Sequence, residues 1–151
     1  MVTTFKLVSE FITIGTRPFE FDDPSIINPM AVNPIIMGEF LELTQDTYKM
    51  KRGTVNPAVV PSFCYFAQQG AYDVQGLGKG PFLYMQQYEA DTMLFTLGAL
   101  AVGDALEVNN VTYGTLTVRG LQKATGGYVV GHVTRLPVYN GGFLRFLRSL
   151  N

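Results

Sequence analysis

Charge is what this sequence has least of. Asp, Glu, Lys and Arg make up 15% of its 151 residues, against about 25% in an ordinary soluble domain. A monomer normally covers its surface with such side chains. A charge-poor domain either has an uncharged polar surface or conceals part of its surface in an assembly. The 11 Phe, 8 Tyr and 6 Met favour assembly, because these residue types are enriched where proteins meet. A net charge of −1 argues against a nucleic-acid partner, which would need clustered Lys and Arg. The densest basic stretches, Lys49, Lys51 and Arg52, then Arg145 and Arg148, read as solvated faces.

Other absences narrow the classes further. No apolar run approaches the roughly 18 residues of a membrane-spanning helix, so no membrane partner is expected. The N-terminus lacks a basic region followed by an apolar core, so it does not read as a secretion signal. Cys64 is the sole cysteine, which excludes an internal disulfide and fits a reducing cytoplasm. The length fits one domain with a real core.

The sequence is rich in turn residues, with 16 Gly and 8 Pro. Residues 1–35 form one texture. An apolar, Thr-rich run, Val2 to Ile14, leads into a stretch broken by Pro18, Pro24, Pro29 and Pro34. Proline fixes φ and removes a backbone donor, so this stretch is neither helix nor central strand. Phe19, Phe21, Ile26, Ile27, Met30 and Val32 are interleaved with the prolines, more apolar side chains than a solvated linker carries. An extended N-terminal arm is expected, lying either over its own domain or on a neighbouring subunit.

Residues 36–151 read as short strands with closely spaced turns. The pattern predicts strands over Ile36–Leu43, Thr47–Lys51, Ser62–Gln68, Phe82–Gln87, Thr92–Thr96, Ala105–Val108, Val111–Val118, Tyr128–Leu136 and Phe143–Leu150. Asn109-Asn110 suits a two-residue hairpin turn, since Asn tolerates positive φ, and Gly126-Gly127 and Gly141-Gly142 mark further turns. Phe143, Phe146, Leu147 and Leu150 fall at helical spacing, but so short a helix is marginal and a strand is expected. The fold class is all-β, with little helix.

Catalytic chemistry is hard to find. Gly76-Leu77-Gly78-Lys79-Gly80 resembles a phosphate-cradling loop, yet Pro81 and an apolar strand follow it where such a loop needs a helix N-terminus. Cys64 and His132 are the only Cys–His pair available for a nucleophile–base role, and each sits in an apolar strand where a structural role is expected. No ligand spacing for a metal is visible. The acidic pairs Asp22/Asp23, Glu39/Glu42, Glu89/Asp91 and Asp104/Glu107 read as solvated or turn-capping groups. Neither a cofactor nor a catalytic residue is expected.

The strings Gly38-Glu39-Phe40-Leu41-Glu42-Leu43, Tyr88-Glu89-Ala90-Asp91-Thr92 and Val102-Gly103-Asp104-Ala105-Leu106 occur in a telling order. They are followed by Tyr128-Val129-Val130-Gly131-His132-Val133-Thr134-Arg135-Leu136-Pro137 and Phe143-Leu144-Arg145-Phe146. Across roughly residues 36 to 150 this pattern resembles the head decoration, or cement, proteins of tailed bacteriophages. The resemblance implies a small β-barrel or β-tulip domain on the outside of the capsid, made in the host cytoplasm. Such proteins bind and stabilise the major capsid protein lattice and self-associate, a trimer being favoured and a dimer possible. They have no catalytic residues to carry over, and their terminal arms often grip the shell. Phe19, Phe21, Ile26, Ile27 and Met30 are then the expected protein contacts on the arm. The competing readings are another phage component (tail, baseplate or head fibre), a ligand-binding β module, or a small hydrolase using Cys64 and His132.

Overall fold

A computed structural model describes residues 4–10, 16–27, 30–44, 49–55, 64–67, 79–83 and 88–148. Among them run eleven strands: β1 (Phe5–Glu10), β2 (Thr16–Glu20), β3 (Phe40–Leu43), β4 (Met50–Arg52), β5 (Cys64–Ala67), β6 (Lys79–Leu83), β7 (Tyr88–Thr92), β8 (Ala105–Tyr113), β9 (Leu116–Lys123), β10 (Gly131–Arg135) and β11 (Leu144–Arg148). A single 3-10 turn, Pro24–Ile27, is the one helical element of the described residues. The protein is all-β and barrel-like.

Six strands form an antiparallel sheet, ordered β1-β7-β11-β10-β8-β9, that curls into a half-barrel. Period-two burial explains why these segments are strands. In β11, Leu144, Phe146 and Arg148 are buried while Arg145 and Leu147 are only half-buried, so alternation prevails over the helical spacing of residues 143–150. The inward side chains meet in one core. Phe146 packs edge-on against Tyr88 at a centroid distance of 6.5 Å and lies 6.4 Å from Phe5, with Phe40, Ala90, Leu106, Val108, Leu121 and Val133 around them. Burying each large apolar side chain contributes about 1.5–3 kcal/mol. Gly38 belongs here because its φ of 94° and the closeness of the Phe5 ring both exclude a side chain.

The other five strands are ordered β2-β6-β5-β3-β4. Phe21, directly after β2, forms a parallel bridge to Met50 of β4, and the Asp22 N–H donates to the Met50 carbonyl at 2.8 Å. The order therefore returns on itself through a single bridge. Pro18, on the terminal strand β2, lies opposite Pro81 of β6, so neither residue offers an N–H at that position of the ladder.

Several sequence expectations need correction. Asn109 and Asn110 sit within β8, opposite Gly120 and Arg119. The turn comes at Gly114-Thr115, where Gly114 takes the positive φ of 62°. The strand expected at Thr92–Thr96 lies earlier, at Tyr88–Thr92. Arg148 is buried rather than solvated, donating to the Val130 carbonyl at 3.1 Å. Residues 1–35, where described, supply β1, β2 and the 3-10 turn Pro24–Ile27 instead of one continuous extended run. Here β1 pairs with β7 and inserts Phe5 into the core.

Candidate functional site

The charged groups come first, since any reaction would need them. Glu39 is fully buried behind the Gly38 turn. Its carboxylate accepts the Ile36 N–H at 3.0 Å and the Arg119 N–H at 3.0 Å. It also takes a two-point contact from the Arg52 guanidinium, at 2.9 and 3.2 Å. Arg52 donates in addition to the Asn33 carbonyl at 2.7 Å. Arg119 reaches the Gly53 carbonyl at 2.7 Å and the Asn110 side chain. Burial lowers the Arg119 pKa below its ordinary value, as does the like charge of Arg52, against the raising pull of Glu39 and Glu42. This network joins the 33–39 segment to both sheets, because Arg52 ends β4 and Arg119 lies on β9.

Other acids among the described residues are likewise engaged. Asp91 on β7, 3% exposed, holds Arg145 of the adjacent β11 at 2.8 and 3.2 Å and faces Lys6 of β1 at 3.9 Å. Glu42 accepts the Thr54 hydroxyl at 2.7 Å and pairs with Lys51 at 3.2 Å. Glu107 is fully buried and meets neutral donors: Gln122 Nε2 at 3.0 Å, the Thr125 hydroxyl at 3.0 Å and the Gly127 N–H at 2.8 Å. Burial alone would raise its pKa; the bonds from Gln122, Thr125 and Gly127 outweigh that and hold it below the ordinary value. Asp104 and Asp23 do cap turns, accepting the N–H of Ala101 at 2.9 Å and of Ser25 at 3.0 Å. Glu39, Glu42, Asp91 and Glu107 correct the solvated reading. They are interior groups whose partners are supplied by the fold.

Among the described residues no three His, Cys, Asp or Glu side chains gather as a metal site. Cys64 lies on β5 of the five-stranded sheet, its side chain outside the described residues, and His132 is half-buried on β10 of the six-stranded sheet. The Gly76–Gly80 segment lies outside the described residues up to Lys79, which opens β6.

Of the five apolar arm residues, Phe21, Ile26 and Met30 have described side chains. Phe21 is 4% exposed, its ring turned into its own fold. Ile26 is half-buried, and its carbonyl accepts the Ile35 N–H at 2.8 Å. Phe19 pairs with Gly80 within β2 and β6, and Ile27 closes the 3-10 turn; both side chains lie outside the described residues. Among the three described side chains Met30 stands out, 86% exposed, with Val32 nearby in sequence.

Sequence reasoning missed a second exposed group. Leu97 and Val102 lie on the β7–β8 loop, Val138 and Tyr139 on the β10–β11 loop, all at least half exposed. Both loops leave the same end of the six-stranded sheet, where β7 and β10 finish and β8 and β11 begin. The available signal was the lack of charge from residue 92 to 103 and from 136 to 144. No protein-family model, curated protein or solved structure matches the chain.

Proposed function

We propose that the chain is a non-catalytic structural protein of a virus particle, attached to the outside of a tailed-phage head and stabilising the lattice of its major capsid protein. One observation carries this reading: the buried acids Glu39, Glu42, Asp91 and Glu107 are occupied in holding the fold, whereas large apolar side chains are spent on exposed loops. Such a division suits a body that works by contact. The order of strings in residues 36–150 supplies the address. Many copies on one shell would multiply a modest affinity at each site.

The test is to mix the purified chain with phage heads assembled without it, pellet the heads, and image them by cryo-electron microscopy. Saturable binding in register with the capsid lattice is expected, together with heads that resist heating better. A chain that stays in the supernatant would sink the proposal.

A further inference from the structure

The tip of the β10–β11 loop carries a chemistry that the rest of the fold withholds. Asn140 is followed by Gly141, the one Asn-Gly step in the chain. Tyr139, Asn140, Gly141 and Gly142 make a tight turn, closed by the Gly142 N–H donating to the Tyr139 carbonyl at 3.0 Å. Gly141 holds the third place of that turn with a φ of 82°, a conformation that favours glycine. Asn140 and Gly141 are both exposed, and a Cβ added at Gly141 would meet nothing within 4 Å. Neither the Asn140 side chain nor the Gly141 N–H has a hydrogen-bond partner among the described residues. An unbonded side-chain amide therefore stands directly before an unbonded, unshielded backbone nitrogen.

We propose that this step is a self-modifying site, at which Asn140 turns into aspartate and isoaspartate as the protein ages. The Gly141 nitrogen gives up its proton to hydroxide and attacks Asn140 Cγ. A bond forms between that nitrogen and Cγ, the Cγ–Nδ2 bond breaks, and Nδ2 leaves as ammonia with a proton taken from water. The product is a five-membered succinimide ring, which water opens at either of its carbonyls. Opening at Cγ gives aspartate on an ordinary backbone. Opening at the main-chain carbonyl gives isoaspartate, with the chain running through Cγ. Overall one water is consumed and one ammonia released, and nothing is oxidised or reduced.

The other internal asparagines lack this combination. Asn28, Asn33 and Asn56 precede prolines, whose nitrogens have no proton to lose. Asn109 and Asn110 lie within β8, paired with Gly120 and Arg119, and the Asn110 side chain is held by Arg119. Ring closure needs side chain and backbone nitrogen to swing together, which a paired strand resists. At Asn140 the swing is confined to the tip, because Leu136 packs on the core and Leu144 is buried within it. The new carboxylate would enter residues 136–144, which contain no charged side chain. This inference goes beyond the capsid reading and does not depend on it.

The test is to store the full chain at neutral and at mildly alkaline pH and follow it by intact mass, ion exchange and peptide mapping. The expected result is a mass gain equal to the exchange of NH2 for OH, located at Asn140, with one further negative charge. It should divide between two products, one of them accepting a methyl group from an isoaspartate methyltransferase. The rate should rise in proportion to hydroxide. Asn140→Gln, which would have to close a larger ring, should slow the gain at least about tenfold, with an unchanged melting temperature. The chain unfolded in urea is the reference, and the folded chain should convert Asn140 at a comparable rate. A folded chain that keeps Asn140 intact while the unfolded chain loses it overturns the proposal. So does a gain that persists undiminished in Asn140→Gln, or one that falls on Asn109 or Asn110 in the folded protein.

Discussion

The two outer strands of the six-stranded sheet face the same hazard and meet it by different means. An edge strand presents unpaired N–H and C=O groups that invite another chain. At β9 the outward groups are covered at alternate residues. Asn33 Oδ1 accepts the Thr117 N–H at 3.2 Å while its Nδ2 donates to the Thr117 carbonyl at 2.6 Å. Glu39 takes the Arg119 N–H, and Leu94 takes that of Leu121 at 2.9 Å while Thr96 returns a bond to the Leu121 carbonyl. At β1 no described strand lies outside the sheet. There a register shift between Leu7 and Ser9 interrupts the edge, and Lys6, half exposed, marks it with charge. One edge is closed by bonds and the other is blunted by irregularity and charge, so the stability of the fold should depend far more on the first.

Deleting residues 1–34 removes β1 and the Asn33 cap together, along with Phe5 and Phe21. The cooperative unfolding transition in circular dichroism should be lost altogether; a folded remainder would show that neither edge is needed. Glu39→Ala strikes the β9 side alone, stranding Arg52 and the Arg119 N–H. It should cost about 3–5 kcal/mol in urea unfolding. Glu107→Ala, beneath the neighbouring strand, leaves the Gln122, Thr125 and Gly127 donors unmet at about 1–3 kcal/mol. Since its pKa is lowered in the folded state, its contribution is full above the ordinary carboxylate value of about 4 and is lost as pH falls through the lowered one. The wild type should therefore lose its advantage over Glu107→Gln in acid; equal acid curves would refute that role. Asn33→Ala opens one station of the β9 edge, worth about 1 kcal/mol, and hydrogen exchange at Thr117 should quicken. Lys6→Val should change stability by less than about 0.5 kcal/mol yet increase aggregation on storage, since it removes the charge that blunts the open edge.

How much of this was legible beforehand differs by element. The all-β class followed from turn residues recurring between short apolar runs, and β11 emerged as a strand because eight residues are too few to favour a helix. Prolines argued against a helix or central strand in residues 18–34, where the structure has an edge strand and a 3-10 turn, and their apolar neighbours implied contact. Neither feature says whose surface is touched, because Phe21 buried at home and Phe21 buried on a neighbour read alike in sequence. Asn109-Asn110 misled because tolerance of positive φ is only a permission. In β8 the Asn110 side chain serves Arg119, and Gly114 accepts the turn at lower cost. Most informative is the scarcity of charge. It pointed to a concealed surface, while the few charges present turned out to be partly concealed themselves, as Glu39 and Glu107 are. The loop surface went unseen because exposed apolar residues in turns have no periodicity to reveal them.

The strand order also dictates when the sheet can exist. β11, the latest of the eleven in the chain, lies third of six, between β7 and β10. During synthesis, β1 with β7 and β10 with β8 and β9 can assemble as two parts that share no strand pairing in the middle of the sheet, linked at the β9 edge by the Leu94 and Thr96 bonds to Leu121. Phe146, which touches both Phe5 and Tyr88, arrives with the joining strand. Completion of the sheet therefore waits on residues 144–148, and a ribosome paused before them leaves the facing edges of β7 and β10 open until β11 fills the gap between them.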